Sequence, residues 1–402
     1  MTTIASPFAP AIAPKLVRSP ELSVVMPCLN EADTLAICIR KALRAIEAHG
    51  IDAEIVIADN GSTDGSQEIA RRLGARVVAV DERGYGAALM GGINAAHGEY
   101  VMMGDADDSY DWTEIPRFLA KLREGYGLVQ GCRLETGGGT VMPGAMPFLH
   151  RWWGNPMFTG IARWWFRTPI HDVYCGMRAF RREMWLSLDQ RCTGMEFALE
   201  MLIKASLFGA ETTEIPITLH PDGRTAHPPH LKTFRDGWRS LRFFLLFSPR
   251  WLFLVPGIFL IVLGLVGYAL AMPHVRIGRV TFDVHTLLFA SLSIICGYQS
   301  IAFALMTKVF AIMEGLLPED VRLNRMFKLV NLESGLLIGA LGMVIGLVLL
   351  GGAVHQWASV DFGALNYAHT MRWVIPGMML TALGFQTILS SFFGSLLGMR
   401  RR

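Results

Sequence analysis

The sequence predicts two parts: a mostly parallel α/β domain over residues 21–227 and four transmembrane helices over residues 251–402. Three observations carry this. Residues 1–249 hold 26 basic and 28 acidic side chains, which leaves only 11 and 6 of the totals of 37 and 34 for the rest of the chain. Four long apolar runs are confined to that charge-poor rest. Through the first 135 residues, short apolar runs alternate with helix-patterned stretches, the order that builds a parallel sheet covered by helices.

Composition sets the outer limits. With 52% hydrophobic and 18% charged residues, against about 25% charged in soluble domains, the chain is too apolar to be disordered or wholly soluble. A mean hydropathy of +0.36 agrees. A net charge of +3 gives no reason to expect a nucleic-acid partner. The six cysteines (Cys28, Cys38, Cys132, Cys175, Cys192 and Cys296) contain no CxxC pair, which argues against zinc and for free thiols in a reducing compartment. Pro7, Pro10 and Pro14 break up the N-terminus, and Lys15 and Arg18 follow its apolar run, the reverse of a secretory signal. Residues 1–20 read as a mobile tail.

Five strands are expected at Leu22–Met26, Glu54–Ala58, Arg76–Val80, Tyr100–Gly104 and Leu128–Gly131, with helices such as Thr34–Ala48 and Asp64–Leu73 between them. In such a sheet, ligands sit at the carboxyl ends of the strands. After the first strand comes Pro27-Cys28-Leu29-Asn30-Glu31, after the second Asp59-Asn60-Gly61-Ser62-Thr63-Asp64-Gly65, and after the fourth Asp105-Ala106-Asp107-Asp108. Acids one residue apart at a strand end project to the same side and can share a hard divalent ion that bridges phosphates. Acidic residues also favour turns, so one such pair means little; three acidic strand ends in register mean more. No GxxxxGK[ST] is present, and Gly84-Tyr85-Gly86 lacks the full dinucleotide spacing.

Residues 228–250 read as an amphipathic helix for the headgroup region, with Lys232, Arg235, Arg239 and Arg242 on one side and Phe234, Trp238, Leu241 and Leu245 on another. In 148–166, Trp152, Trp153, Trp164 and Trp165 stand among Arg151, Arg163 and Arg167, which suits a membrane interface and an aromatic core helix equally. Apolar runs at Trp251–Met272, Leu287–Thr307, Gly335–Val354 and Val374–Met399 reach the about 20 residues that cross a bilayer. Arg239, Arg242 and Arg250 precede the first; Lys308, Arg322, Arg325 and Lys328 follow the second; Arg400, Arg401 and Arg402 close the chain. The positive-inside rule then places the α/β domain, the 308–334 loop and both termini in the cytoplasm, with 273–286 and 355–373 outside. Gly335, Gly339, Gly342 and Gly346 give small-xxx-small spacing for close helix packing. No charge lies deep in a run, which disfavours ion-coupled transport. Four spans suffice for a bundle within one chain or between copies, so a homo-oligomer stays open.

Together, Pro27–Glu31, Asp59–Gly65, Gly84–Ala87, Asp105–Asp107, Gly131-Cys132-Arg133, Tyr174–Phe180, Gly194–Phe197 and Glu214–Ile217 leading to Arg224 resemble family 2 glycosyltransferases of the GT-A fold. More narrowly they resemble dolichol-phosphate mannose synthases and bacterial polyprenyl-phosphate glycosyltransferases. The resemblance covers roughly residues 20–250 and is specific as an ordered combination. It implies an α/β GT-A (Rossmann-like) catalytic domain ahead of the four transmembrane helices, in a multi-pass protein of a bacterial plasma membrane. It also implies a GDP-mannose or UDP-hexose donor, a polyprenyl (undecaprenyl or dolichyl) phosphate acceptor in the lipid bilayer, and Mg²⁺ or Mn²⁺ as cofactor. By position, Pro27, Leu29, Asn30, Glu31 and Asp59 would hold the nucleoside, and Asp105, Ala106 and Asp107 the diphosphate through the metal on Asp105 and Asp107. Ser109 stands where the family often has Gln. Arg133 would contact phosphate, Arg151 and Asn155 stand where an Arg and a Ser hold the lipid phosphate, and Arg224 would complete the site.

The chemistry can also be argued directly. A phosphomonoester has a second pKa near about 6, so at pH 7 it is largely dianionic and needs no general base. Arg133, Arg151 and Arg224 would align it and offset its charge, and displacement in line would invert the anomeric centre. A hydroxyl acceptor, as in a glycolipid or polysaccharide synthase, would instead need a base such as Asp172 or Glu196. The Gln-x-x-Arg-Trp of processive synthases is missing: Arg151-Trp152 and Arg163-Trp164 lack the Gln. A non-catalytic scaffold that binds nucleotide-sugar is the remaining alternative.

Overall fold

A computed structural model of the chain describes residues 19–224, 233–321 and 332–398. The N-terminal residues 1–18, Lys232, the Phe234 side chain and the basic residues Arg322, Arg325, Lys328, Arg400, Arg401 and Arg402 lie outside the described residues. The described residues divide into two compact units, with the chain passing between them at 163/164, 167/168 and 233/234.

The first unit is built on a seven-stranded sheet. The strands are β1 (Leu22–Cys28), β2 (Ala53–Asp59), β3 (Arg76–Ala79), β4 (Tyr100–Met103), β5 (Leu128–Cys132), β7 (Arg178–Arg181) and β8 (Thr212–Pro216); a short β6 (Thr140–Val141) pairs with β9 (Thr218–Leu219) outside it. Their order is β3-β2-β1-β4-β7-β5-β8, with every pairing parallel except those of β7 with β4 and β5. All five expected strands form. β7 and β8 carry no clean apolar run: β7 is Arg-Ala-Phe-Arg, yet its Arg178 is wholly buried.

Both faces of the sheet are covered, as a parallel sheet requires. On one face Val24, Met26, Ile57 and Met102 pack against Leu35, Ile39 and Ala42 of α1 (Leu35–Ala48) and against Phe118 and Leu122 of α4 (Ile115–Arg123). On the other face lies α3 (Tyr85–Ala95), so close that a Cβ on Gly92 would stand 2.6 Å from Val25 Cγ1 and 2.8 Å from Ala58 Cβ. That contact excludes any residue larger than glycine and brings the start of α3 to the carboxyl ends of β2 and β4.

The second unit holds four helices long and apolar enough to cross a membrane: Arg250–Ala271, Val284–Met313, Leu332–Ala358 and Tyr367–Gly398. Glycines set their spacing. Gly257 and Gly264 of the first meet Gly297, Ala290 and Ile294 of the second. In the third, Gly335 meets Ser391, Gly339 meets Gly384 and Ile388, and Gly346 meets Gly377 and Thr381 of the fourth, while Gly342 lies at ordinary contact distance. Tyr298 of the second span donates to Thr387 Oγ1 of the fourth at 2.8 Å.

The end of α5 (Asn155–Phe166) groups with this unit. Trp165 stacks on Trp251, Trp164 lies 4.1 Å from the same ring, and Phe166 packs on Phe244 of α8 (Thr233–Leu246). Trp152 and Trp153, earlier in the same segment, are exposed. The segment is therefore no uniform core helix. In α8 the buried side is Ser240, Phe243 and Phe244, whereas Trp238 and Leu246 are exposed.

The third and fourth spans give a direct test of glycine packing. A Cβ on Gly384 would lie 2.5 Å from both the Gly339 carbonyl oxygen and the Met343 nitrogen. Gly384→Leu should cost about 1–3 kcal/mol, read as a fall of several degrees in the melting temperature of detergent-solubilised protein. Gly351→Leu, at a position with open space, is the control and should melt like the parent.

Candidate active site

The site is assembled where β1, β2, β4 and β5 end. The loop after β1 is laced to the loop after β2: Asn30 N–H donates to Ser62 Oγ at 2.9 Å, Glu31 N–H to Ser66 Oγ at 3.0 Å, and Thr63 N–H to Asn30 Oδ1 at 2.8 Å. Asn30 takes φ 60°, a left-handed conformation that Asn tolerates better than most residues. Pro27, Cys28 and Leu29 lead into this turn, and Pro27 is in register with Ala58. Asp59 is buried at the end of β2; its carboxylate accepts from the N–H groups of Gly61 and Ser62 and from Gln67 Nε2 at 2.7 Å. Asp59 thus shapes the loop that flanks the site.

Asp105 and Asp107 follow β4. Asp105 Oδ1 accepts from the Tyr85 hydroxyl at 2.9 Å. Asp107 is buried; its Oδ1 accepts from Ser109 N–H at 3.1 Å and Ser109 Oγ at 2.6 Å, and its Oδ2 takes the Arg224 guanidinium. Ser109 therefore orients Asp107. The Ala106 carbonyl accepts from Thr34 Oγ1 at 2.7 Å, which fixes the peptide between the two acids. Arg224 Nε also lies 3.4 Å from Glu31 and 3.2 Å from Asp222, so one guanidinium bridges the β1 and β4 ends. Burial alone would lower Arg224, but Asp107, Glu31 and Asp222 hold it above its ordinary value.

Arg133 follows β5 and is equally fixed. Its Nε donates to Asp172 Oδ2 at 2.7 Å and its Nη2 to Oδ1 at 2.9 Å, a two-pronged pair with Asp172 wholly buried. The Arg133 N–H adds a third bond to Asp172, and Nη1 reaches the Tyr110 hydroxyl at 3.4 Å. Tyr110 in turn accepts from Gly176 N–H at 2.8 Å. Burial would lower the Arg133 guanidinium, yet Asp172 keeps it well above its ordinary value. Arg151 donates to Glu135 Oε1 at 2.6 Å, two residues beyond Arg133, and its guanidinium lies over the Trp152 ring. Asn155 opens α5 and donates to Met146 Sδ at 3.3 Å.

Desolvation first, and then the charge of Asp107, push the Asp105 carboxyl up to about 6. Two carboxylates this crowded call for a cation. Among the described residues, no cluster of three or more His, Cys, Asp or Glu side chains could hold a metal unaided. Two acids suit Mg²⁺ or Mn²⁺ that completes its shell with water and the oxygens of a bound diphosphate. Asp105 would meet such an ion through Oδ2, and Asp107, an acceptor from Ser109 and Arg224, through a lone pair those bonds leave open, so the two acids would fit it.

Of the residues singled out in the sequence, Glu31, Asp107, Ser109 and Arg224 meet in one cluster, whereas Arg151 and Asn155 bond to Glu135 and Met146. Tyr85 was visible only as a member of the Gly84-Tyr85-Gly86 run, and neither Tyr110 nor Thr34 carried a signal. Asp172, one of the two candidate bases for a hydroxyl acceptor, has both carboxylate oxygens taken by Arg133.

Comparisons with known proteins identify the family of the chain. Residues 23–186 match Glycosyl transferase family 2, and residues 305–398 match the glycosyltransferase family 2 C-terminal transmembrane region. A low-salt glycan biosynthesis hexosyltransferase of Haloferax volcanii is 36% identical over 94% of this chain and 90% of its own length. A dolichyl-phosphate hexose transferase of the same organism is 34% identical over 49% of this chain and 82% of its own length. Among solved structures, glucosyl-3-phosphoglycerate synthase from Mycobacterium tuberculosis, crystallised with Mn²⁺ and UDP, superposes with a TM-score of 0.43 at 21% identity over 56% of this chain and 78% of its own.

The raised Asp105 value has a measurable consequence. Its folded value exceeds the ordinary 3.8, so the folded chain binds this proton more tightly than the unfolded one. That contribution is complete below about 4 and is lost as pH rises through about 6. Asparagine mimics the neutral acid. In EDTA, Asp105→Asn should therefore raise the melting temperature by an amount that is small near pH 4, grows through pH 6 and then levels off. A uniform fall across that range would mean that the ionised carboxylate itself stabilises the fold.

Proposed function

This chain belongs to glycosyltransferase family 2, and from that premise we propose that it transfers a hexose, with inversion, from a nucleotide-sugar to a polyprenyl phosphate at the cytoplasmic face of a membrane. The donor would be GDP-mannose or a UDP-hexose. In this reading Asp105 and Asp107 hold Mg²⁺ or Mn²⁺, which when bound offsets the charge of the departing nucleoside diphosphate. Glu31, Asn30, Leu29 and Pro27 line the nucleoside end, on a loop braced by Asp59.

The observation that carries the reading is the Arg133–Asp172 pair. A hydroxyl acceptor needs a carboxylate free to take a proton, and Asp172 is spent on Arg133 through both oxygens. A phosphate acceptor needs cations instead. Arg133 is held in place by Asp172 with Nη1 turned to Tyr110, and Arg224 stands beside Asp107. Arg151, tied to Glu135 two residues beyond Arg133, adds a third positive group for the acceptor. A dianionic phosphate oxygen can then attack the anomeric carbon directly, while these residues orient it and exclude water. The name of the dolichyl-phosphate hexose transferase relative supports this acceptor class, and the four apolar helices keep the enzyme where such a lipid resides.

Release of nucleoside diphosphate, measured with and without polyprenyl phosphate, tests the reading. Turnover should require the lipid phosphate, stop in EDTA, and, at metal concentrations that keep Asp105 ionised, rise with pH through about 6 before levelling off, as the acceptor ionises. Arg151→Ala should lower acceptor kcat/KM at least about tenfold, roughly 1.4 kcal/mol, with the donor KM unchanged. Equal release without lipid phosphate, together with loss of turnover in a folded Glu196→Gln, would favour a hydroxyl acceptor.

Membrane topology can be checked separately. Counting positive charges puts the 276–281 hairpin outside and Asp320 inside. In a background without native cysteines, Gly278→Cys should react with an impermeant maleimide from outside, and Asp320→Cys only after permeabilisation. The opposite pattern would invert the arrangement.

A further inference from the structure

Tyr85 opens α3 with its hydroxyl 2.9 Å from Asp105 Oδ1, while Oδ2 of the same carboxylate accepts no hydrogen bond among the described residues. The position of Tyr85 is heavily braced. Gly84 takes φ 144°, and a Cβ on Gly86 would stand 2.5 Å from the Cys192 carbonyl oxygen and 2.8 Å from that of Gly194, so the helix start presses directly on the 192–194 loop. Ala87 N–H donates to the Thr193 carbonyl at 3.0 Å. That loop is held in turn from α7 (Phe197–Leu207): Glu200 accepts the N–H groups of Arg191 and Cys192 at 3.0 and 2.7 Å. Glu200 also pairs at 2.7 Å with Lys204, and both side chains are buried. Lys204 Nζ donates to the Asp189 carbonyl at 2.7 Å, closing the frame.

We propose that Tyr85 is a positioning residue for metal binding: its hydroxyl pins Oδ1 of Asp105, fixes the rotation of the carboxylate and leaves Oδ2 as the oxygen that meets the ion. The proposal rests on the metal reading given above. A phenol that donates to a carboxylate makes a charge-assisted bond, strong enough to select one orientation. Partners one step removed from a metal typically change its affinity by about 10–100-fold when lost. Packing alone would need only the ring. Phenylalanine at this position keeps the ring and removes the bond.

The test is direct Mn²⁺ binding to full-length protein in detergent, followed by the EPR signal of free Mn²⁺ with saturating GDP and, separately, UDP. Tyr85→Phe should bind Mn²⁺ about 10–100-fold more weakly than the parent. Its melting temperature in EDTA should fall by no more than the loss of one hydrogen bond accounts for, its metal-free nucleotide affinity should match the parent, and turnover should recover at high Mn²⁺. Mn²⁺ affinity within twofold of the parent would overturn the proposal, as would a melting temperature in EDTA lowered enough to explain the loss. A parent protein that itself binds no Mn²⁺ with either nucleotide would overturn the metal reading as well, a result distinct from a parent that binds and a variant that binds equally.

Discussion

Two like charges at the end of one central strand govern the architecture of the first unit. Asp105 and Asp107 project from the end of β4, which lies between β1 and β7, and desolvation makes their mutual repulsion costly. Their surroundings read as answers to that cost. Arg224 returns from 117 residues downstream to ion-pair with Asp107, Ser109 donates twice to the same carboxylate, and Tyr85 reaches Asp105 from α3. Thr34 fixes the carbonyl between them, and Lys41 pairs with the next acid, Asp108, at 2.7 Å. A core formed for stability alone would have replaced these acids with apolar residues, because buried charges that need this much support are weak stabilisers. The arrangement holds two carboxylates at a fixed point and spends stability to do so.

How much of this was legible follows from where the information lies. Strands β1 to β5 announce themselves because each is a local apolar run that ends in turn or acidic residues, and the acids at their ends needed only adjacency to be noticed. β7 did not announce itself. Its two arginines break the apolar pattern, and Arg178 is buried by donating to the Ala198 and Cys175 carbonyls, an accommodation that no local pattern encodes. The same holds for the Arg133–Asp172 pair, which spans 39 residues and exists because β5 and the turn before β7 meet in space. Residue types that do chemistry were visible in one dimension; which of them neutralise one another was not.

The second unit obeys a simpler rule and was correspondingly easier to read. Helices in lipid gain little from burying apolar surface, so close approach through small residues decides how they pack. The Gly335–Gly346 spacing predicted a contact face, and all four glycines lie against the fourth span, Gly342 at ordinary contact distance. The tryptophans between residues 148 and 166 could not be assigned in the same way, because aromatic and basic residues suit both a core and an interface. The segment divides: Trp164 and Trp165 gather on Trp251, whereas Trp152 and Trp153 remain exposed.

The nucleophile proposed for this site rests on the same electrostatic logic. Asp172 has a side chain with 0% exposure and Arg133 one with 10%, so separating them would strand a charge at a cost of about 3–5 kcal/mol. For Asp172 to serve as a base it would have to surrender Arg133 in the course of each turnover, adding that cost to the barrier it is meant to lower. A pre-ionised acceptor makes no such demand: the pair stays intact, Arg133 keeps the direction Asp172 gives it, and the proton has already gone to solvent. With its arginines immobilised by carboxylates, Asp172 on Arg133 and Glu31 and Asp222 beside Arg224, the site would, on the proposed reading, orient an acceptor that is already negative more readily than it would remove a proton.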